Sequence, residues 1–147
     1  MGQSGHNESL VDSNEEIAGP TSPRGLTMSN TGICFQPATE IAAMIRAKEI
    51  SAVEVTQAVL DRIAKLNPEL NAYCTLAEDE SLESARRADD ALARGDQTGP
   101  LHGVPVSVKD LIPTKGIRTT SGSRIFENVV PDFDGPLVER LKEAGAI

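Results

Sequence analysis

Lys109 is the side chain in this 147-residue sequence with the clearest potential for chemistry. It stands near the end of residues 103–111, where Val104, Val106 and Val108 recur with the period of two that is typical of a β-strand. Folds that alternate strands and helices place ligands at the carboxyl ends of their strands. Burial there would favour a neutral amine, which can accept a proton. Most lysines at strand ends are only solvated, so spacing alone does not make Lys109 catalytic.

Two neighbouring features have a structural and a functional interpretation. Residues 119–123 read TTSGS, which is usually a turn but could also line a substrate pocket. Asp110 is predicted to cap the loop that follows the strand rather than to act as a partner of Lys109. His102 is predicted to be a structural hydrogen-bonding residue, because no Cys or Ser nucleophile with supporting context is apparent near it.

The sequence predicts neither a cofactor nor a metal site. It contains no G-x-x-x-x-G-K-[ST] phosphate loop, no G-x-G-x-x-G dinucleotide motif and no G-x-S-x-G nucleophile motif. Cys34 and Cys74 lack C-x-x-C spacing, and the histidines are His6 and His102, too few ligands for a zinc site or a disulfide scaffold. Both cysteines are therefore predicted to be free thiols.

Charge and hydropathy exclude two classes of partner. The net charge of −8 leaves no basic surplus for binding phosphates, so direct DNA binding is not expected. No apolar run is long enough for a membrane span, and the first residues lack the basic and apolar regions of a signal peptide. The sequence therefore predicts a cytoplasmic protein that does not associate with membranes.

Four helices and a second strand are expected to position Lys109. Ser51 and Glu54 have the spacing of a capping box, and the apolar stripe behind them predicts a helix that Pro68 ends just after Asn67. Gly95 has the position of a helix terminator. The other predicted helices cover residues 39–47, 79–94 and 136–144, and the second predicted strand covers residues 71–76.

The composition divides the chain into two parts. Residues 1–32 are polar and aperiodic, which predicts a flexible tail, whereas residues 33–147 carry the periodic apolar patterns of a folded domain. A helix followed by Gly145, Ala146 and Ile147 is typical of the start of a helix-to-strand unit, so we expect an α/β fold whose sheet is incomplete in this chain. The alternative is a complete helical domain with one hairpin.

Residues 99–123 and 128–147 resemble the N-terminal part of the amidase signature family's catalytic domain. The succession is a strand, Lys-Asp, a loop, TTxGS, a helix and AGA. Residues 50–75 are similar to the second helix of that family and the strand after it. The resemblance extends over residues 37–147, and it implies a mixed central sheet with helices on both faces.

The resemblance implies that Lys109 is the lysine of a Ser-cisSer-Lys triad. In that family the neutral lysine accepts a proton through a bridging serine from a nucleophilic serine, which attacks the amide carbonyl. Both serines of the family lie downstream of the AGA junction, so this chain is expected to supply the lysine without either serine. Ser107, Ser121 and Ser123 do not match their positions.

The expected parent protein is an amidase that hydrolyses a non-peptide carboxamide C–N bond of a small molecule. This chain would be its N-terminal segment and would be inactive alone. The A subunit of the tRNA-dependent amidotransferase, which needs partner subunits, is an alternative within the same family. A non-catalytic interaction module is an alternative from another class, and whether the protein forms a homodimer stays open.

Overall fold

The computed structural model describes residues 30–147, and the described part consists of five α-helices joined by turns and irregular segments. The predicted tail over residues 1–32 therefore lies outside the described residues except for its last three. Those three belong to a helix whose last residue, Ile33, is buried against the core. The helices are α1 (Asn30–Ile33), α2 (Ala38–Arg46), α3 (Ala52–Leu70), α4 (Glu78–Arg94) and α5 (Pro136–Glu143).

The core lies between α2, α3 and α4, and α3 packs against both α1 and α4. Ile45 and Val55 are fully buried at its centre, and Ala85 is the buried residue of α4. Small side chains at the contact let helix axes approach closely, which favours tight packing. Val104 joins this core from the segment that leads to Lys109.

The first turn of α3 has a hydrogen-bond acceptor for each of its first three amides. The predicted capping box is confirmed: the Ser51 hydroxyl accepts from the Glu54 N–H, and the Glu54 carboxylate accepts from the Ser51 N–H. Asp89 of α4 supplies the other acceptors, taking the Ala52 N–H at 2.7 Å and the Val53 N–H at 3.1 Å. The start of α3 is thereby fixed to α4.

The end of α3 differs from the prediction. The helix passes through Pro68 and ends at Leu70, and the next residue, Asn71, adopts a left-handed conformation with φ of 50°. A proline in the last turn removes only one backbone donor, and asparagine tolerates the left-handed region better than most residues. The Asn71 N–H still reaches the Asn67 carbonyl at 2.8 Å.

Residues 71–76, predicted as a strand, do not form one. Asn67 instead pairs with the backbone of Tyr73 through both ends of its side-chain amide. The Cys74 carbonyl accepts from the Arg118 guanidinium at 2.6 Å. A strand requires a neighbouring backbone to pair with, and in this region side chains take that place.

The predicted strand over residues 103–111 is also absent, although part of it makes the contacts of one. Ile147 donates its N–H to the Val104 carbonyl at 2.9 Å and accepts from the Val106 N–H at 2.7 Å. This is the hydrogen-bond pattern of parallel neighbours. The Gly103 N–H likewise donates to the Gly145 carbonyl at 3.0 Å. The pairing is too short to count as a strand.

Gly145, as predicted, follows the end of α5 in a left-handed conformation with φ of 85°. It also lies against the backbone of His102, because a Cβ atom built on Gly145 would come within 2.9 Å of the His102 Cα. Glycine is therefore needed here both for its conformation and for the close approach.

Residues 30–147 are helical with no β-strand, so the expected mixed sheet is not formed in the described part. Within this range an isolated antiparallel bridge joins Thr114 and Ile117. The predicted helices at 39–47, 79–94 and 136–144 are confirmed to within one residue at each end. None of the described helices combines the length and the hydropathy that a membrane-spanning segment would require.

Candidate functional site

Lys109 lies where the segment beginning at Val104 turns back on itself. Its carbonyl accepts from the Leu111 N–H at 2.7 Å and from the Ile112 N–H at 2.9 Å, so a tight turn starts at this residue. Val104 is buried at the start of the segment, whereas the Lys109 side chain is exposed. No described residue forms an ion pair or a side-chain hydrogen bond with its ammonium group.

Asp110 fastens this turn to the TTSGS segment. Its carboxylate accepts from the Thr120 N–H at 2.7 Å and, through its other oxygen, from the Thr120 hydroxyl. Its carbonyl accepts from the Ser121 N–H at 2.8 Å. The prediction that Asp110 caps the loop is therefore confirmed, and the loop it caps is the one that the sequence offered as a pocket lining.

These contacts lower the pKa of Asp110 below its usual value. The Thr120 hydroxyl donating to the carboxylate is the largest cause, and the Thr120 N–H is the next. Hydrogen bonds donated to a carboxylate stabilise its charged form. Asp110 is therefore an anion at neutral pH.

The TTSGS turn is built from two successive left-handed residues. Ser121 has φ of 52° and Gly122 has φ of 66°. The Ser123 hydroxyl accepts from the Ile125 N–H and so caps the 3-10 helix Arg124–Phe126. A left-handed serine is uncommon, and the bond from its N–H to the Asp110 carbonyl helps to hold it there.

The loop around the turn is anchored at further points. The buried Thr119 donates its N–H to the Val129 carbonyl at 2.9 Å. Arg118 donates to the carbonyls of Glu127 and Cys74 and so joins this loop to the segment after α3. The turn beside Lys109 is therefore part of a connected network.

A second aspartate holds the far end of the same loop. Asp134 accepts from the Lys115 N–H at 2.8 Å and from the Lys142 ammonium of α5 at 2.6 Å. The Lys142 hydrogen bond is the largest cause lowering the pKa of Asp134. Asp134 resembles Asp110 in its chemistry, since each accepts one backbone and one side-chain hydrogen bond, but its partners are other residues.

His102 has the structural role that the sequence predicted. It is buried, and its Nε2 lies 2.9 Å from the Ala88 carbonyl of α4. Because a carbonyl can only accept, Nε2 must carry a proton and donate this bond. The residue joins α4 to the segment that leads to Lys109.

Both cysteines are thiols outside any disulfide, as predicted. Cys34 donates to the Ala58 carbonyl of α3, and burial raises its pKa. It also borders a groove of about 250 Å³ along the outer face of α3, whose apolar lining includes Val59, Ile63 and Leu66. The groove lining includes neither Lys109 nor any residue of the TTSGS turn.

In residues 30–147, no cluster of three or more His, Cys, Asp or Glu side chains could hold a metal ion.

The structure therefore brings Lys109, Asp110 and the TTSGS turn together, and it leaves Ser107 exposed without a described partner. Sequence reasoning missed Arg118 and Asp89. Arg118 contacts Cys74 across 44 positions and Asp89 contacts Ala52 across 37, and no local pattern signals such pairs.

Comparison with known proteins gives a consistent result. The profile of the family described as Amidase matches residues 54–147. The chain is 52% identical over 113 residues to the A subunit of the glutamyl-tRNA(Gln) amidotransferase of Carboxydothermus hydrogenoformans, an alignment covering 77% of this chain and 23% of that protein. The chain thus spans about a quarter of the length of the curated relatives it matches.

Two of the solved structures with the same local fold are named as amide-cleaving enzymes. Fatty acid amide hydrolase superposes with a TM-score of 0.76 at 32% identity, covering 84% of this chain and 22% of that one. The native peptide amidase of Stenotrophomonas maltophilia superposes with a TM-score of 0.71 at 36% identity, covering 77% of this chain and 23% of that one.

Proposed function

This chain belongs to the amidase signature family, and from that membership we propose that it forms the lysine-bearing part of an enzyme that cleaves a carboxamide C–N bond. Residues 33–147 are the N-terminal part of the catalytic domain. The nucleophilic and bridging serines lie in polypeptide that this chain does not contain, in keeping with an alignment that covers 23% of the amidotransferase relative. The substrate is a small-molecule amide.

Lys109 is the general base in this proposal. The neutral amine takes a proton through the bridging serine as the nucleophilic serine attacks the amide carbonyl. Lys109 returns this proton through the bridging serine to the nitrogen of the leaving group as the C–N bond breaks. Ammonia or an amine then departs, and water hydrolyses the acyl-enzyme. A lysine needs desolvation to be neutral near pH 7, and the described residues leave Lys109 exposed. The proposal therefore requires the remainder of the catalytic domain to pack over it.

One observation supports this role most directly. Lys109 lies at the turn that follows the segment paired with Ile147, and the TTSGS turn is fastened beside it by Asp110. Parallel neighbours of this kind end at the edge where α/β folds place ligands. The ammonium group of Lys109 is exposed and has no partner among the described residues. It is therefore available to a substrate bound at this edge.

The test is substitution of Lys109 in the full-length enzyme that contains this segment. Lys109→Ala should lower kcat by about 100-fold to 10,000-fold, the usual effect of removing a general base. Lys109→Arg should be equally impaired, because arginine keeps the charge but does not release its proton. Turnover is measured with a chromogenic anilide and by ammonia release from a primary amide. An arginine variant with near-normal kcat would overturn the proposal.

Lys115→Ala is the matched control. Lys115 is also an exposed lysine, six positions along the loop, and its hydrogen bond to Asp134 is donated by its backbone N–H, which alanine keeps. We expect turnover within about twofold of the parent enzyme, as for most exposed substitutions. An equal loss of kcat in Lys109→Ala and Lys115→Ala would indicate that turnover depends on positive charge in general and not on Lys109.

The A subunit of a glutamyl-tRNA(Gln) amidotransferase is a second candidate, and a specific observation favours it. Identity to relatives with that name reaches 52%, against 32% and 36% to the two hydrolases above. In this case the amide is glutamine and the protein works with partner subunits. Glutamine hydrolysis that appears only when the other subunits are added would support this candidate. Hydrolysis of simple amides by the single full-length chain would support the first.

A further inference from the structure

We infer that Asp110 is a positioning residue for Lys109, and that it acts by bonding to the backbone and the hydroxyl of Thr120. The inference rests on the proposed function, because it concerns how the base of that reaction is held. Asp110 itself touches no reacting atom in this account. Its role is to fix the backbone from which the lysine side chain projects.

Hydrogen bonds hold the backbone at Lys109 and Asp110. Three hydrogen bonds join Asp110 to Thr120 and Ser121, two through its carboxylate and one through its carbonyl. The Lys109 carbonyl is itself bonded to two amides of the next residues. The peptide unit between Lys109 and Asp110 is therefore fixed relative to a turn ten residues further along.

The side chain of Lys109 is exposed and has no hydrogen-bond or ion-pair partner among the described residues. A lysine has four rotatable bonds and gains its direction from whatever holds it. In the described part only the backbone does so, and a displacement of about 1 Å of a reacting group can cost about 100-fold in rate.

Aspartate suits this position better than asparagine does. Both oxygens of the Asp110 carboxylate accept, one from the Thr120 N–H and one from the Thr120 hydroxyl. Asparagine has one side-chain oxygen and one NH2 group. It could therefore accept one of these two bonds through its oxygen, but at its NH2 group the Thr120 hydroxyl would have to accept a hydrogen bond instead of donating one. The hydroxyl donor can be supplied by serine but not by valine, which has nearly the same shape as threonine.

The experiment measures kcat and KM separately for substitutions in the full-length enzyme. Asp110→Asn and Thr120→Val should each lower kcat by about 10-fold to 100-fold while KM changes less than about threefold. Thr120→Ser keeps the hydroxyl and should restore kcat to within about threefold of the parent enzyme. Rescue by serine is a result that loss of threonine packing alone would not give.

Asp134→Asn is the matched control, because Asp134 also accepts one backbone and one side-chain hydrogen bond in the same loop. Its partners are Lys115 and Lys142, so it should leave kcat within about twofold even if it lowers the melting temperature. A loss of kcat as large as that of Asp110→Asn would overturn the inference, since any loosening of the loop would then be sufficient. Thr120→Ser behaving like Thr120→Val would overturn it as well.

The outcomes separate this inference from the proposed function. If Lys109→Ala is inactive while Asp110→Asn and Thr120→Val keep normal kcat, the function stands and the positioning role is wrong. If Lys109→Ala is fully active, both are wrong. Should Asp110→Asn fail to fold, the comparison of serine with valine at Thr120 decides the question.

Discussion

Replacing Asp89 should destabilise the helical core far more than replacing its neighbour Asp90. Asp89 of α4 accepts from the first two amides of α3, those of Ala52 and Val53. Asp90 is exposed on the same helix. Either Asp→Ala change gains about 0.5 kcal/mol of helix propensity. The difference between the two variants therefore isolates the contacts of Asp89 with α3.

The expected difference follows from the geometry. A hydrogen bond to a charged acceptor contributes about 1.5–3 kcal/mol, and Asp89 accepts two, of which the one from Val53 is the longer at 3.1 Å. Ala52 is fully buried, so water reaches its N–H poorly once the carboxylate is gone. We expect Asp89→Ala to lower the free energy of unfolding by about 3 kcal/mol relative to Asp90→Ala. Asp89→Asn, which keeps one acceptor, should lower it by about half as much.

Urea unfolding followed by circular dichroism at 222 nm measures this difference. With an m value of about 1–3 kcal/mol/M, a loss of 3 kcal/mol moves the midpoint by about 1–3 M. Asp89→Ala and Asp90→Ala with the same midpoint would refute the reasoning, because the bond from α4 to the start of α3 would then contribute nothing. A change in m without a change in stability would refute it too.

Two further predictions concern pH and glycine. The pKa values of Asp110 and Asp134 are lowered in the folded state, so their stabilising effect is complete above the unfolded pKa of about 4 and is lost as pH falls through the lowered folded values. The melting temperature should be constant from pH 7 to 5 and fall below pH 4, and Asp134→Asn should make that fall shallower; an unchanged slope would contradict this. Gly145→Ala should cost more stability than Gly95→Ala, because both glycines have positive φ but only Gly145 lacks room for a Cβ atom. The urea midpoints of the two variants measure which loses more stability. Equal losses would exclude a role for the contact between Gly145 and His102.

Local signals in the sequence predicted the helices well. The capping box at Ser51 and Glu54 and the terminator Gly95 depend only on residues within one turn, and the structure contains both. Pro68 misled the prediction because the cost of proline depends on its position. Near the end of α3 it removes one donor, and the helix continues to Leu70.

The strand predictions failed for a different reason. Alternation of valines predicts that one face of a segment is buried, but in this segment Val104 is buried whereas Val106 is exposed. A strand also needs a neighbour, and a neighbour is not encoded locally. In the described part, the backbone of Val104 and Val106 pairs with Ile147 over two hydrogen bonds, and the backbone of Tyr73 pairs with the Asn67 side chain. The contact of Asp110 with Thr120 was predictable as a loop cap, but its partner was not.

The pairing of Val104 and Val106 with Ile147 also affects the order in which the chain folds. The helices α2, α3 and α4 can associate through contacts close in sequence, whereas this pairing must first close the long segment that carries the TTSGS turn and α5. Closing a long loop costs entropy before any contact is gained, so such pairings form late and open first. Opening here would release the backbone that leads to Lys109. The geometry of the candidate base therefore depends in part on these long-range hydrogen bonds, whose opening native-state hydrogen exchange would detect at the amides of Gly103 and Val106.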